Sequence, residues 1–305
     1  MVPRLKRTPP RESVASDLAS ALALATGRRV EPRPERSVDG GSINHCVRWD
    51  SDGGALFVKL GPEASLGMFS AEADGLRELA GASVLRVPQV LGLGTTPGQA
   101  FLALEWLELH AATARSEAML GERLALLHRV GAPRFGWRRD NTIGATPQRN
   151  DWSDDWARFF AGRRLGFQLD LAARQGHGGR LLDRGRLLCE RLGEFFEGYR
   201  PQPSLLHGDL WGGNWAADAA GEPVIFDPAV YYGDREADLA MTRLFGGFGR
   251  AFYEAYQAGW PLDPGAPQRV ALYNLYHVLN HLNLFGGGYG AQAEAMIERL
   301  LASLR

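Results

Sequence analysis

A chain of 305 residues is long enough for one large domain or two closely packed lobes. With 45% hydrophobic and 23% charged residues, folding is expected over most of the length. The net charge of −1 gives no general attraction for nucleic acid or an anionic membrane surface, so neither is expected as a partner. The two cysteines, Cys46 and Cys189, are too few and too scattered for a disulfide framework or a zinc site. The opening MVPRLKRTPP is basic, but no apolar run follows it as in a secretion signal. No stretch reaches the roughly 18 apolar residues that cross a bilayer. These features point to a cytoplasmic protein and leave its oligomeric state open.

In chain order, residues 12–26 predict an amphipathic helix stopped by Gly27, and an Arg/Pro-rich connector follows. Two β-like runs, 43–49 and 55–60, flank Asp52-Gly53-Gly54, a hairpin turn signal. A helix over 64–79 and a strand over 101–106 complete a mixed front third. Beyond Trp106 the pattern turns helical: 111–130, 151–174 and 180–199, then 236–245, 248–258, 266–285 and 291–304. Two short apolar runs, 204–206 and 224–226, interrupt it. The fold class expected is α+β, with a small β-rich lobe over 1–106 and a larger, mainly helical lobe over 107–305.

The most informative segment is LLHGDLWGGNWAADAAGEPVIFDP, Leu205–Pro228. Asp209 opens a loop just after a short apolar run, Asn214 lies five residues on, and Asp227 follows the next apolar run, 18 residues after Asp209. Phosphoryl transfer asks little covalent chemistry of a protein. It needs a carboxylate to orient a nucleophilic hydroxyl, and oxygen donors to hold the metal on the nucleotide. Asp209 suits the first task. Asn214 and Asp227 suit the second, as hard ligands for Mg²⁺. Either half alone reads equally as a turn or a strand end, since Asp and Gly dominate turns. The joint spacing, with a strand before each half, is what makes the pattern specific.

The front third supplies a complement. Lys59 is expected at the end of a hairpin strand, within reach of ATP phosphates, and Glu72, 13 residues later, sits on the following helix where it can hold the lysine extended. Taken singly, each also reads as a solvated surface charge. Gly40, Gly41 and Ser42 could let backbone N–H groups approach phosphates, although no Walker motif follows and an ordinary turn fits them as well. Glu105, Trp106 and Leu107 lie where the composition shifts, a place for a hinge that contacts adenine or for a plain strand end.

These residues carry a resemblance. The chain resembles the fructosamine kinase (ketosamine-3-kinase) family, relatives of aminoglycoside phosphotransferases and choline kinases, over about residues 35–289. LLHGDLWGGN (205–214) and FDPAVYYGDRE (226–236) are its most specific pieces, extended by DLAMTRLFGGF, YNLYHVLNHLNLF and NTIGATPQRNDWSDDW. The resemblance implies a bilobal protein-kinase-like fold and transfer of the ATP γ-phosphoryl group to the 3-hydroxyl of a small or protein-bound ketosamine. The phosphorylated adduct then decomposes and frees the amine, a deglycation. It also implies Asp209 as base, Asn214 and Asp227 as metal ligands, and Lys59 with Glu72 as the phosphate anchor. Two departures stand out: Gly212 where serine is usual, and Ser42 where many relatives carry a cysteine, which places redox control of that loop in doubt.

A ketosamine is hydroxylated and cationic, so aromatic faces and carboxylates suit it. Trp211 is the first choice for stacking on the sugar, against a buried role beneath the loop. Asp234, Glu236 and Asp238 form an acidic run. One of them, with Asp234 the candidate, could meet the amine or could brace the metal loop. His277 and His281 share a helix face. They read as packed histidines rather than a metal pair, with His281 or Asn283 as substrate-facing alternatives. Trp152 and Trp156 are expected together on one helix face, mainly in the core, and His128 is expected as a packed histidine. The competing functions are an aminoglycoside or choline-type phosphotransferase and a nucleotide-binding pseudokinase. The latter predicts a lost base or metal ligand, and all of those residues are present.

Overall fold

The computed structural model describes residues 11–32, 36–38 and 45–304. The chain divides into two compact units, one running up to Asp74 and including Pro88–Leu107, the other comprising Gly75–Val87 and Glu108–Arg305.

The first unit is built on a five-stranded antiparallel sheet. Its strands lie side by side in the order Arg36–Val38, His45–Trp49, Leu56–Pro62, Gln99–Glu105 and Val90–Thr96. The expected hairpin forms, with Trp49 opposite Leu56. Alternation puts Val47, Trp49, Leu56, Val58 and Leu60 on one face, where they pack with Leu18 and Leu22 of the helix Arg11–Thr26. That helix ends where its sequence says it should, at Gly27 with φ +68° and its N–H on Ala23 O at 2.9 Å. The strand Val90–Thr96 is absent from the sequence reading because Gly92 and Gly94 weaken its β signal. Both glycines make room: a Cβ on Gly92 would lie 3.0 Å from the Ala25 side chain, and one on Gly94 2.8 Å from the Phe101 ring.

The second unit is mainly helical. The helix Ala114–Leu127 starts at a capping box between Thr113 and Ser116. It packs against Arg250–Gly259, where a Cβ on Gly121 would lie 2.2 Å from the Phe252 carbonyl oxygen. The expected helix over 151–174 is shorter and broken. Asp155 caps the helix Trp156–Phe159, a π-helical turn follows over Phe160–Gly166, and Phe167–Arg174 completes it. Trp152 therefore lies before the helix rather than on its face and is 39% exposed, whereas Trp156 is buried as expected. Three small β elements punctuate the helices. Trp215–Asp218 pairs with both Pro223–Ile225 and Leu109–His110, Ser204–Leu206 pairs with Tyr231–Gly233, and Asn141–Ile143 forms a hairpin with Thr146–Gln148. The pairing of Ser204–Leu206 with Tyr231–Gly233 holds both ends of the segment 207–230. No helix among the described residues is long and apolar enough to cross a membrane.

Candidate active site

In the second unit, Ser204–Leu206 delivers His207-Gly208-Asp209 and Pro223–Ile225 delivers Phe226-Asp227-Pro228. His207 ties the two loops together. Its Nδ1 accepts the Asp209 N–H at 3.3 Å, so the proton sits on Nε2, which donates to Phe226 O at 2.9 Å. Burial lowers the His207 pKa and keeps the ring neutral. Gly208 has φ +83°, and a Cβ there would lie 2.1 Å from Ala229 O, so the two loops approach closely only at a glycine.

Asn214 Nδ2 donates to Asp209 O at 2.9 Å and to Asp209 Oδ2 at 3.2 Å. With the amide nitrogen committed to Asp209, Oδ1 is directed away from that carboxylate. Asn214 O accepts from Phe226 N at 3.0 Å, which joins the Asn214 turn to the Asp227 strand. Asp227 itself holds φ +56°, sparsely populated for a non-glycine residue. Burial, and then the charge of Asp227, push the Asp209 carboxyl up to about 7 against the Asn214 hydrogen bond. Asp209, Asn214 and Asp227 thus form one oxygen-rich cluster. Hard oxygen donors fit a small divalent cation, and no group of three or more His, Cys, Asp or Glu suited to a metal occurs among the described residues.

In the first unit, Lys59 Nζ lies 2.7 Å from Glu72 Oε1, and both side chains are largely buried. Lys59 does not end its strand as expected, because the strand continues to Pro62 and encloses it between Cys46 and Leu102. Gly40, Gly41 and Ser42 lie outside the described residues. The N–H groups of Glu105 and Trp106 bond Gln89 O at 2.9 Å and Ala55 O at 3.3 Å. The Trp106 ring lies 6.3 Å from Phe57, with the Arg48 guanidinium 5.2 Å from its centroid.

A model of the fructosamine kinase family matches residues 14–303. The chain belongs to the fructosamine kinase family. It is 47% identical to a candidate ketoamine kinase of Synechocystis sp. over 285 residues, 93% of this chain and 96% of that one. It is 40% identical over 296 residues to the chloroplastic protein-ribulosamine 3-kinase of Arabidopsis thaliana, 96% of this chain and 90% of the relative. A crystal structure of a candidate fructosamine-3-kinase from Haemophilus somnus 129PT superposes with a TM-score of 0.84 at 30% identity, covering 93% and 97% of the two chains. The fold is protein-kinase-like, α+β, and this fructosamine kinase family member is an ATP-dependent phosphotransferase acting on ketosamines.

The substrate residues expected from the sequence separate into two groups. Trp211, 39% exposed, stands edge-on to Phe245 at 6.3 Å, and Phe245 lies 5.0 Å from His281. A Cβ on Gly213 would lie 2.2 Å from the Trp211 ring, so this glycine seats the indole. Gly212 packs on Gly247, whose own Cβ would come within 2.9 Å of the Gly212 Cα. The aromatic face continues from His281 to Phe285 at 5.5 Å and Tyr289 at 5.2 Å.

Asp234 and Asn283 are engaged elsewhere. The Asp234 carboxylate accepts from Tyr199, Tyr273 and the Glu236 N–H, and is buried. Asn283 donates to Gln168 O and Oε1 at 2.9 and 2.7 Å.

Of the acidic run it is Asp238 that reaches this site, and it braces the His207–Asp209 loop rather than the Asp227 loop. Its Oδ2 accepts His207 N–H at 2.7 Å and its Oδ1 accepts Gly208 N–H at 2.8 Å, while His128 Nε2 donates to Oδ2 at 3.1 Å. Burial opposes the Asp238 charge, yet these donors hold its pKa below the usual carboxylate value. His128 stays neutral through burial, its Nδ1 accepting from Tyr256 at 2.8 Å. Glu236 pairs with buried Arg269 at 2.7 and 2.9 Å.

Proposed function

We propose that the chain transfers the γ-phosphoryl group of ATP to the 3-hydroxyl of ketosamines formed when a reducing sugar condenses with an amine, small or protein-bound, and that it does so in the cytoplasm. The Asp209–Asn214–Asp227 cluster carries this reading. Asp209 orients the 3-hydroxyl and accepts its proton as the new oxygen–phosphorus bond forms and ADP departs. Asn214 fixes the Asp209 carboxylate through Nδ2 and offers Oδ1, with Asp227, to Mg²⁺. Mg²⁺ supplies neutralisation of the phosphate charge.

Lys59, held extended by Glu72, anchors phosphate oxygens. The N–H groups of Glu105 and Trp106 are already bonded within the sheet and its flank, so the Leu107 backbone is assigned to the adenine edge. Trp211, Phe245 and His281 offer an aromatic face to the sugar and its cationic amine. The 3-phosphorylated product eliminates inorganic phosphate, and water then hydrolyses the resulting imine to the free amine and a 3-deoxy dicarbonyl, which completes deglycation.

An ADP-release assay with ribulose-lysine, fructose-lysine, kanamycin and choline, each with Mg²⁺ and with EDTA, tests the reading. Turnover is expected on a ketosamine and only with Mg²⁺. A preference for kanamycin or choline would overturn the substrate assignment, and turnover in EDTA would remove Asn214 and Asp227 from metal binding.

A further inference from the structure

The hairpin Asn141–Gln148 belongs to a distinctive stretch of the sequence that the chemistry above does not use. Its polar side chains are buried: Gln148 is 1% exposed, Asn141 7%, and Asn150, just beyond, 0%. Gln148 Nε2 donates to Ala229 O at 3.0 Å and to Asn141 Oδ1 at 2.9 Å, while its Oε1 accepts from Tyr276 at 2.8 Å. Asn141 Nδ2 donates to Val230 O at 2.8 Å. Behind them, Asn150 Nδ2 donates to Asn141 Oδ1 at 2.8 Å, and Arg164 Nη2 donates to Asn150 Oδ1 at 2.8 Å. The Arg164 guanidinium lies 4.1 Å from the centre of the Tyr231 ring.

The carbonyls held by Gln148 and Asn141 belong to the two residues that follow Asp227-Pro228. The other side of the same segment is gripped by the catalytic loop. Ala229 N–H donates to His207 O at 2.9 Å, and Ala229 O is the atom that a Cβ on Gly208 would strike. A backbone as unusual as that of Asp227, with φ +56°, persists only where its surroundings over-determine it. A buried, satisfied amide network supplies that rigidity more strictly than apolar packing, because each misplacement leaves a polar group unpaired.

We propose that Gln148 is a positioning residue. Through Ala229 O, it and its partner Asn141 set the Asp227 carboxylate against the His207–Asp209 loop and so tune the metal-dependent grip on nucleotide. This rests on the assignment of Asp227 as a metal ligand.

Gln148→Met keeps the length of the side chain and removes all three hydrogen bonds. Two measurements are made on the full chain. Calorimetry compares ADP binding with Mg²⁺ and in EDTA, and hydrogen exchange follows the segment 226–232 without nucleotide or metal. The wild type is expected to bind ADP more tightly with Mg²⁺. In Gln148→Met that metal-dependent gain should fall about tenfold, within the 10- to 100-fold range seen when partners behind metal ligands are removed. Affinity in EDTA should stay as in the wild type, and the Ala229 amide should exchange faster. A merely structural role would lower thermal stability and leave the Mg²⁺-dependent ratio alone.

Tyr276→Phe, which removes one hydrogen bond to Gln148, is expected to shift both measurements in the same direction by less. It decides the matter should Gln148→Met fail to fold. A wild type that binds ADP equally with and without Mg²⁺ overturns the metal assignment and this role with it. Normal metal dependence in the wild type, with an unchanged ratio or unchanged Ala229 exchange in the variants, overturns the positioning role alone.

Discussion

The Asn214 amide nitrogen reaches the Asp209 backbone carbonyl at 2.9 Å and the Asp209 carboxylate at 3.2 Å, so one side chain fixes both ends of the proposed base. Asp209→Asn keeps the shape but removes the proton acceptor. Its turnover on the best ketosamine is expected to fall by at least about 10²- to 10⁴-fold. Nucleotide binding by calorimetry should change little. Turnover within a few-fold of the wild type would remove Asp209 from the role of base.

Lys59 and Glu72 are a nearly buried ion pair at 2.7 Å. Breaking such a buried pair by removing one partner costs about 3–5 kcal/mol, more than replacing both with apolar side chains. Glu72→Leu alone is therefore expected to lower urea-unfolding stability more than Lys59→Met/Glu72→Leu together. Both should lose most ATP-dependent turnover. Additive stability losses in this cycle would show that the pair is not coupled.

Asp238 grips the N–H groups of His207 and Gly208, and an asparagine at this position has only one oxygen for those two donors and His128. Asp238→Asn is expected to cost about 2–3 kcal/mol in unfolding free energy, since hydrogen bonds to a charged group are lost and a buried donor is left unpaired. Turnover should fall by about tenfold or more as the Asp209 loop loosens. Wild-type turnover in a destabilised variant would confine Asp238 to stability.

Much of the second unit's candidate site is legible because its residues lie in one linear stretch, where Asp209, Asn214 and Asp227 keep the spacing their loops require. Lys59 and Glu72 are legible by their order along the chain, yet an apolar run over 55–60 predicts Lys59 at a strand end. The structure instead buries it mid-strand. Asp234 and Asp238 look alike in sequence. Only packing shows that Asp238 meets the His207–Asp209 loop while Asp234 meets two tyrosines. Gln148 gave no usable signal, since a glutamine beside a proline in a short polar hairpin reads as surface. Besides Asn141, its partners come from residues 229 and 276, far along the chain. Trp152 reads as helical by its spacing from Trp156, but Asp155 caps the helix too late to include it.

The exposed ring of Trp211 offers a clean separation of binding from folding. Trp211→Ala is expected to leave thermal stability nearly unchanged, because the indole packs mainly on Gly213 and against Phe245 at 6.3 Å. KM for the ketosamine should rise by about tenfold, as lost stacking and cation–π contact predict, while KM for ATP stays put. A rise confined to the ATP term would move Trp211 out of the proposed sugar face.

Acid sensitivity follows from the buried histidines. Burial, with a contribution from His281, lowers the pKa of His277 to about 3, while Asp238 opposes the shift and Arg164 adds to it. The unfolded chain takes up a proton near pH 6.5 that the folded chain refuses until about pH 3. Stability from this group is thus whole above about pH 6.5 and is lost as pH falls toward 3, by at most about 1.4 kcal/mol per unit. His128 and His207, also lowered by burial, act in the same direction. Asp209 and Asp234, raised by burial to about 7 and about 6, act in the opposite direction over this range, so the comparison isolates His277. From pH 7.5 through 6.0 to 5.0 the wild type should lose more urea-unfolding free energy, or gain less, than His277→Leu, whatever that variant's absolute stability. An identical slope in the two proteins would mean that His277 accepts its proton in the folded state, and that the interior around it is wetter than its burial implies.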